Sequence, residues 1–232
     1  MDRLNWRTWR HLTKLDPDKP LSPTVAARVA ASGTDAVVIG GTQNITAANV
    51  AHLLTLLAPY PLPKIVEIST FDAIVPGADG YLIPVVLNTT DVRWLIGAHQ
   101  AAARRLGSFL DWQLTLPEGY LVLNENSAVA RLTASNCRLS LPDAIAFARC
   151  ADGLFRLPVV YLEYSGRYGD PALVKAVKAN LTAARLFYGG GIDGPARAAE
   201  MGRIADTIVV GNLIYESGLD LLPATVQAVQ NK

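Results

Sequence analysis

Short apolar runs and longer amphipathic stretches alternate along all 232 residues of the chain. The runs at 11–15, 36–39, 64–68, 81–87, 120–123, 157–161, 186–188 and 207–210 read as strands. Most are continuously apolar, the pattern of parallel strands covered on both faces. Helical spacing fills the gaps between them. Ser22 and Pro23 form an N-cap and first helical residue, and Gly33 closes that helix. Thr46 caps a second helix carrying Val50, Leu53 and Leu54, and Asp91 opens a third with Trp94, Leu95, Ala98, Ala101 and Ala102. Further helices are predicted over 142–151, 171–181, 195–205 and 223–229. The stretch 69–80 holds Pro76, Gly77 and Gly80 and is too short for a full helix. It predicts an irregular connection.

Strands and helices in this rhythm predict an α/β fold, a (β/α)8 TIM-type barrel forming a single domain over 1–232. An open doubly wound sheet would place its glycine-rich loop after the first strand. Here that strand runs into Asp16 and Pro17, and the glycine-rich segments come late. Half of the residues are hydrophobic, enough for a large core, and the net charge of +1 gives no global attraction to nucleic acid. Cys137 and Cys150 fit no metal or redox spacing, and Cys150 is expected as a small core residue. Trp6 and Trp9 precede the first strand and are expected to cover the bottom of the barrel or to form a contact surface. The opening residues are polar rather than a secretory signal, and no apolar run approaches the ~20 residues that span a bilayer. These features predict a cytoplasmic protein, a location compatible with work on a membrane-derived substrate and with peripheral membrane contact.

In a barrel the C-terminal ends of the strands converge on one site. The first brings Lys14, Asp16, Asp18 and Lys19, the second Gly40, Gly41 and Thr42, and the third Glu67 and Ser69; Asn88 and Asn124 follow the fourth and fifth. The last three strands end in Tyr161-Leu162-Glu163-Tyr164-Ser165-Gly166, Tyr188-Gly189-Gly190-Gly191 and Gly211-Asn212. Glycines let backbone N–H groups approach an anion, and on successive strands they predict a composite phosphate cradle. Lys14 suits a phosphate as a point charge. Asp16, a carboxylate with few protein partners, suits Mg²⁺, which keeps waters and phosphate oxygens as ligands. Glu163 can accept a hydrogen bond from a substrate hydroxyl or act as a base. These residues leave open a transferase, an isomerase or aldolase of a phosphorylated small molecule, and a barrel that only binds such a ligand.

Lys14-Leu15-Asp16-Pro17, Ser32-Gly33-Thr34-Asp35-Ala36, Ile39-Gly40-Gly41-Thr42, 161–166, 188–192 and Val209-Val210-Gly211-Asn212 occur in this order over nearly the whole chain. The combination, with 84–88 and 97–100, resembles the geranylgeranylglyceryl/heptaprenylglyceryl phosphate synthase family (PcrB-like). The resemblance implies a Mg²⁺-dependent prenyltransferase on a TIM-type barrel, a homodimer or higher. Such an enzyme joins the free primary hydroxyl of sn-glycerol 1-phosphate to a polyprenyl diphosphate and releases diphosphate. It further implies glycerol phosphate contacts from Lys14, Tyr161, Leu162, Glu163, Tyr164, Ser165, Gly166, Gly191, Gly211 and Asn212, and magnesium positions at Asp16 and Thr42. Glu163 would be the proton acceptor, and the Tyr164 ring would face developing positive charge. The position matching the family's chain-length stop is Ala102. A small residue there leaves the groove open and predicts a heptaprenyl rather than a geranylgeranyl donor.

Overall fold

The computed structural model describes residues 1–216 and 218–230. Parallel strands β1 (His11–Leu15), β2 (Ala36–Ile39), β3 (Lys64–Glu67), β4 (Gly80–Val86), β5 (Thr115–Val122), β6 (Val159–Glu163), β7 (Arg185–Gly189) and β8 (Thr207–Val210) pair in chain order and close into a barrel, β8 returning to β1. Around it lie α1 (Pro23–Ala30), α2 (Ala47–Leu57), α3 (Ala98–Leu106), α4 (Ala128–Thr133), α5 (Leu141–Arg149), α6 (Pro171–Lys178), α7 (Pro195–Ile204) and α8 (Leu222–Gln230). The expected barrel is therefore observed, including the irregular β3–β4 connection, which holds only a short 3-10 turn at Phe71–Ala73.

Local chemistry explains the elements. The Ser22 side chain accepts the Val25 N–H ahead of Pro23, and Thr46 forms a capping box with Asn49. Strand residues facing outward pack against the helices: Val37, Ile39, Val66, Leu121, Val160, Leu162, Leu186 and Tyr188 share one core layer with Val29, Leu53, Val177 and Met201. Alternate residues fill the barrel itself, including Leu12, Val38, Ile65, Leu82, Tyr120, Tyr161 and Phe187. Trp6 and Trp9 are buried in this inner cluster, as expected of a bottom cover. His11, at the start of β1, is fully buried between the hydroxyls of Thr34 and Thr225 at 2.9 and 3.0 Å. Burial pulls its imidazole down to about 3.

Some expectations shift. β5 begins at Thr115 rather than 120, and β6 spans Val159–Glu163 rather than 157–161, so Glu163 belongs to the strand. The short α4 falls in a segment where no helix was expected. Cys150 is exposed rather than in the core. Ala144, Ala148 and Ala151 carry the buried stripe of α5, and Cys150 lies off it, where the helix loosens into the π-turn Cys150–Leu154.

Candidate active site

A cleft of about 380 Å³ opens at the C-terminal ends of the strands. Lys14, Asp16, Thr42, Tyr161, Glu163, Ser165, Gly166, Gly191, Gly211 and Asn212 all line it, so the structure brings together most of the expected residues. Leu162 and Tyr164 are not among its walls. Strand alternation turns both outward: Leu162 is buried against the helices, and Tyr164 packs on Tyr188 with ring centroids 5.9 Å apart. The ring of Tyr164 supports the turn from behind and does not face the cleft.

The glycine turn after β7 is shaped by β6. A Cβ at Gly190, where φ is +142°, would lie 2.5 Å from Tyr164 Cβ, and one at Gly191, where φ is +58°, would lie 2.2 Å from Tyr168 N. Only glycine tolerates that approach and that backbone, so the cradle is as much a packing requirement as an opening for N–H groups. Gly41 does a different job. A Cβ there would fall 2.4 Å from Asp16 Oδ1, so its bare backbone leaves space for that carboxylate. Asp16 Oδ1 accepts the Asp18 N–H at 3.0 Å, and the Asp16 N–H donates to Tyr215 Oη at 2.9 Å.

Beneath the cleft the barrel interior is charged. Lys14 Nζ donates to both oxygens of Glu67, at 2.8 and 3.0 Å, and lies 3.9 Å from Glu163 Oε2. Glu163 also accepts Tyr120 Oη at 2.7 Å and Ser165 Oγ at 2.9 Å. Asn124 Nδ2 holds the Ser165 carbonyl at 2.9 Å. Burial opposes the charge on Lys14, but Glu67 and Glu163 outweigh it and hold the ammonium above its ordinary range. Burial raises the Tyr120 and Tyr161 hydroxyls, and the neighbouring carboxylates add to the effect. Sequence reading overlooked Glu118, which is fully buried on β5. The signal was present in the alternation of Leu116, Glu118, Tyr120 and Val122, but Pro117 and Gly119 disguised it as a turn.

A second cavity opens off the first. Lys14, Thr42, Val129, Glu163 and Ser165 line both. Ile68, Ser69, Pro84 and Trp94 in turn belong to both this neck and a third, apolar groove of about 390 Å³. Phe71, Ile74, His99, Ala102, Leu110 and Trp112 line the groove. Its helical wall begins as a π-turn at Arg93–Gly97 and continues as α3. The wide π-turn sets Trp94 in the wall of the neck. Ala102 thus lies on the wall of the groove.

A glycine-lined, lysine-bearing cleft joined through a neck to an apolar groove defines a barrel built for a phosphorylated head and a hydrocarbon tail. Comparison with known proteins gives the family. Residues 4–230 match the PcrB family, and the chain belongs to it. It is 53% identical over 228 residues to a geranylgeranylglyceryl phosphate synthase of Methanoculleus marisnigri, covering 97% of this chain and 99% of the relative. It is 46% identical over 227 residues to a heptaprenylglyceryl phosphate synthase of Brevibacillus brevis, covering 98% of each. The crystal structure of (S)-3-O-geranylgeranylglyceryl phosphate synthase from Thermoplasma acidophilum with its substrate sn-glycerol-1-phosphate superposes with a TM-score of 0.86 at 26% identity, over 100% of this chain and 98% of that one. Among the described residues no helix is long and apolar enough to cross a membrane.

Proposed function

We propose that the chain is a prenyltransferase that joins a polyprenyl diphosphate to the free primary hydroxyl of sn-glycerol 1-phosphate. The observation that carries this reading is the continuous path from the polar cleft through the neck to the apolar groove. An isomerase or aldolase of a small phosphorylated molecule has no use for that groove.

The chemistry follows from the walls. The glycerol phosphate sits on Gly166, Gly190, Gly191, Gly211 and Asn212, with Lys14 below. Its free hydroxyl points to the neck, where the Glu163 carboxylate accepts the hydrogen bond and takes the proton. The hydroxyl oxygen bonds to the allylic carbon as that carbon's bond to the diphosphate oxygen breaks, and diphosphate leaves with the bonding pair. Holding both partners in adjoining compartments supplies the orientation that this step needs. Asp16 and Thr42 would hold Mg²⁺. One carboxylate and one hydroxyl fit an ion that keeps waters and phosphate oxygens, and the space that Gly41 leaves for the Asp16 carboxylate fits that role. When bound, the ion neutralises charge on the diphosphate.

The small side chain of Ala102 favours a long, heptaprenyl donor. The relatives carry both chain-length names, so a geranylgeranyl donor is the second reading. The test is product analysis by mass spectrometry with either glycerol phosphate enantiomer and prenyl diphosphates of increasing length. Ether formation from the 1-phosphate alone supports the reading, and no ether from any pair with folded protein overturns it. A homodimer and contact with a bilayer surface belong to the same reading; sedimentation velocity and vesicle flotation test them.

A further inference from the structure

The barrel interior holds an acid, Glu118, that neither the proposed reaction nor an ion pair uses. Glu118 lies on β5 between Pro84 of β4 and Val159 of β6, with no exposed surface. Neither carboxylate oxygen has a hydrogen-bond partner among the described residues. Leaving such a group unpaired is costly, so its position calls for a reason. Its charged neighbours are Glu67 from β3, Lys14 from β1 and Glu163 from β6, with the Tyr120 and Tyr161 hydroxyls beside them. Arg185, on β7, is turned instead to the carbonyls of Trp9 and Asp206 at 2.9 and 3.1 Å. Burial first, and Glu67 next, hold the Glu118 carboxyl well above the usual range, which favours its neutral form, with one O–H to give.

Lys14 spends both of its short contacts on Glu67 in the absence of substrate. A lysine that turns upward to a phosphate must loosen that pairing, and a buried carboxylate that loses its cation is costly. We propose that Glu118 is a positioning residue of the glycerol phosphate site, whose O–H turns to Glu67 as Lys14 turns to the phosphate. The proton stays on Glu118 throughout; only the donor to Glu67 changes. The unpaired oxygens are then the resting half of a two-position device, and the strands carrying the three side chains need not move. The site under the phosphate stays less negative than a third ionised carboxylate would leave it, which favours an anionic ligand.

This inference rests on the glycerol phosphate reading, and two measurements separate their failures. Infrared spectroscopy of the folded protein at neutral pH should show the carbonyl stretch of a protonated carboxyl that disappears in Glu118→Gln. That signal needs no substrate, and its absence from the wild type overturns the proposal. In steady-state kinetics Glu118→Leu, which removes the donor, should raise KM for sn-glycerol 1-phosphate about ten-fold or more, with a smaller effect on kcat. Glu118→Gln, which keeps an N–H donor, should restore KM to within about three-fold of the wild type, a loss below that of a full charged hydrogen bond. Equal KM values in both variants, or a rise in Glu118→Gln matching that in Glu118→Leu, overturns the proposal as well. Should Glu118→Leu fail to fold, the infrared band and the Glu118→Gln kinetics still decide.

Discussion

Replacing Gly41 by Ala tests the Asp16 site without touching a charge. The added Cβ would lie 2.4 Å from Asp16 Oδ1, 2.9 Å from its Cγ and 3.0 Å from Ile45 Cδ1. Ordinary contact requires about 3.4 Å or more, so the carboxylate must retreat by roughly 1 Å. A displacement of ~1 Å at a positioned group costs on the order of 10²-fold in rate. Overpacking also costs about 1–3 kcal/mol, which for a chain of this length lowers Tm by ~2–12 °C. Gly153→Ala is the control, because a Cβ there meets nothing within 4 Å. The assay is ether formation with Mg²⁺ titrated at saturating glycerol phosphate. Gly41→Ala should need more Mg²⁺ and lose about a hundred-fold in kcat/KM, approaching Asp16→Asn, while Gly153→Ala matches the wild type. Activity in Gly41→Ala within two-fold of wild type, with Asp16→Asn inactive, would refute the argument that Gly41 exists to place Asp16.

Other outcomes follow from the same contacts. Ala102→Trp should shift the preferred donor to a shorter prenyl diphosphate, since each five-carbon unit kept out of the groove forfeits roughly 3–4 kcal/mol of apolar burial; an unchanged length preference in competition assays refutes it. Glu163→Gln should lower kcat by ~10²-fold or more as the proton acceptor is lost, and full activity would remove Glu163 from that role. Lys14→Met leaves Glu67 and Glu163 without their shared cation and should destabilise the fold by about 3–5 kcal/mol, seen as a fall in Tm near 10 °C. His11 is neutral when folded down to about 3 but protonates near 6.5 when unfolded, so unfolding binds protons between those values. Stability is complete above pH ~6.5 and falls by up to ~1.4 kcal/mol per pH unit as acid is added; His11→Gln should flatten that slope in thermal melts between pH 6.5 and 4.

How far the sequence discloses this site depends on what kind of residue carries each part. Strands covered on both faces leave nearly unbroken apolar runs, so β2 and β8 are legible to the residue. Caps such as Ser22 and Thr46 are local chemistry and equally plain. Turn residues inside a strand defeat the same reading. Pro117 and Gly119 hid the first half of β5, and with it Glu118. Pro158 lies just outside β6, and a boundary misplaced by two residues there put Glu163 beyond the strand rather than in it. That boundary matters chemically, because Glu163, in step with Tyr161 on the inward face of β6, has its neighbours fixed by register. Glu163 faces Val122 across β5 and Gly189 across β7, and Tyr120, two residues before Val122, reaches it with its hydroxyl.

The same register argument explains why a run of six candidate residues, 161–166, yields only some that face the cleft. Successive strand residues face opposite layers, so Tyr161 and Glu163 enter the cleft while Leu162 and Tyr164 hold the helices. The two sets are nonetheless coupled. Tyr164 fills the space that a Cβ at Gly190 would need, and Tyr161 Oη stands 2.2 Å from where a Cβ at Gly189 would be. Conversion of Gly189 or Gly190 to Ala would therefore move a tyrosine of β6 or of the turn after it, as well as the backbone amides of the cradle. On the proposed reading, the glycine turn that would bind phosphate and the strand that would orient the hydroxyl acceptor are thus one packed unit, and selection for either constrains the other.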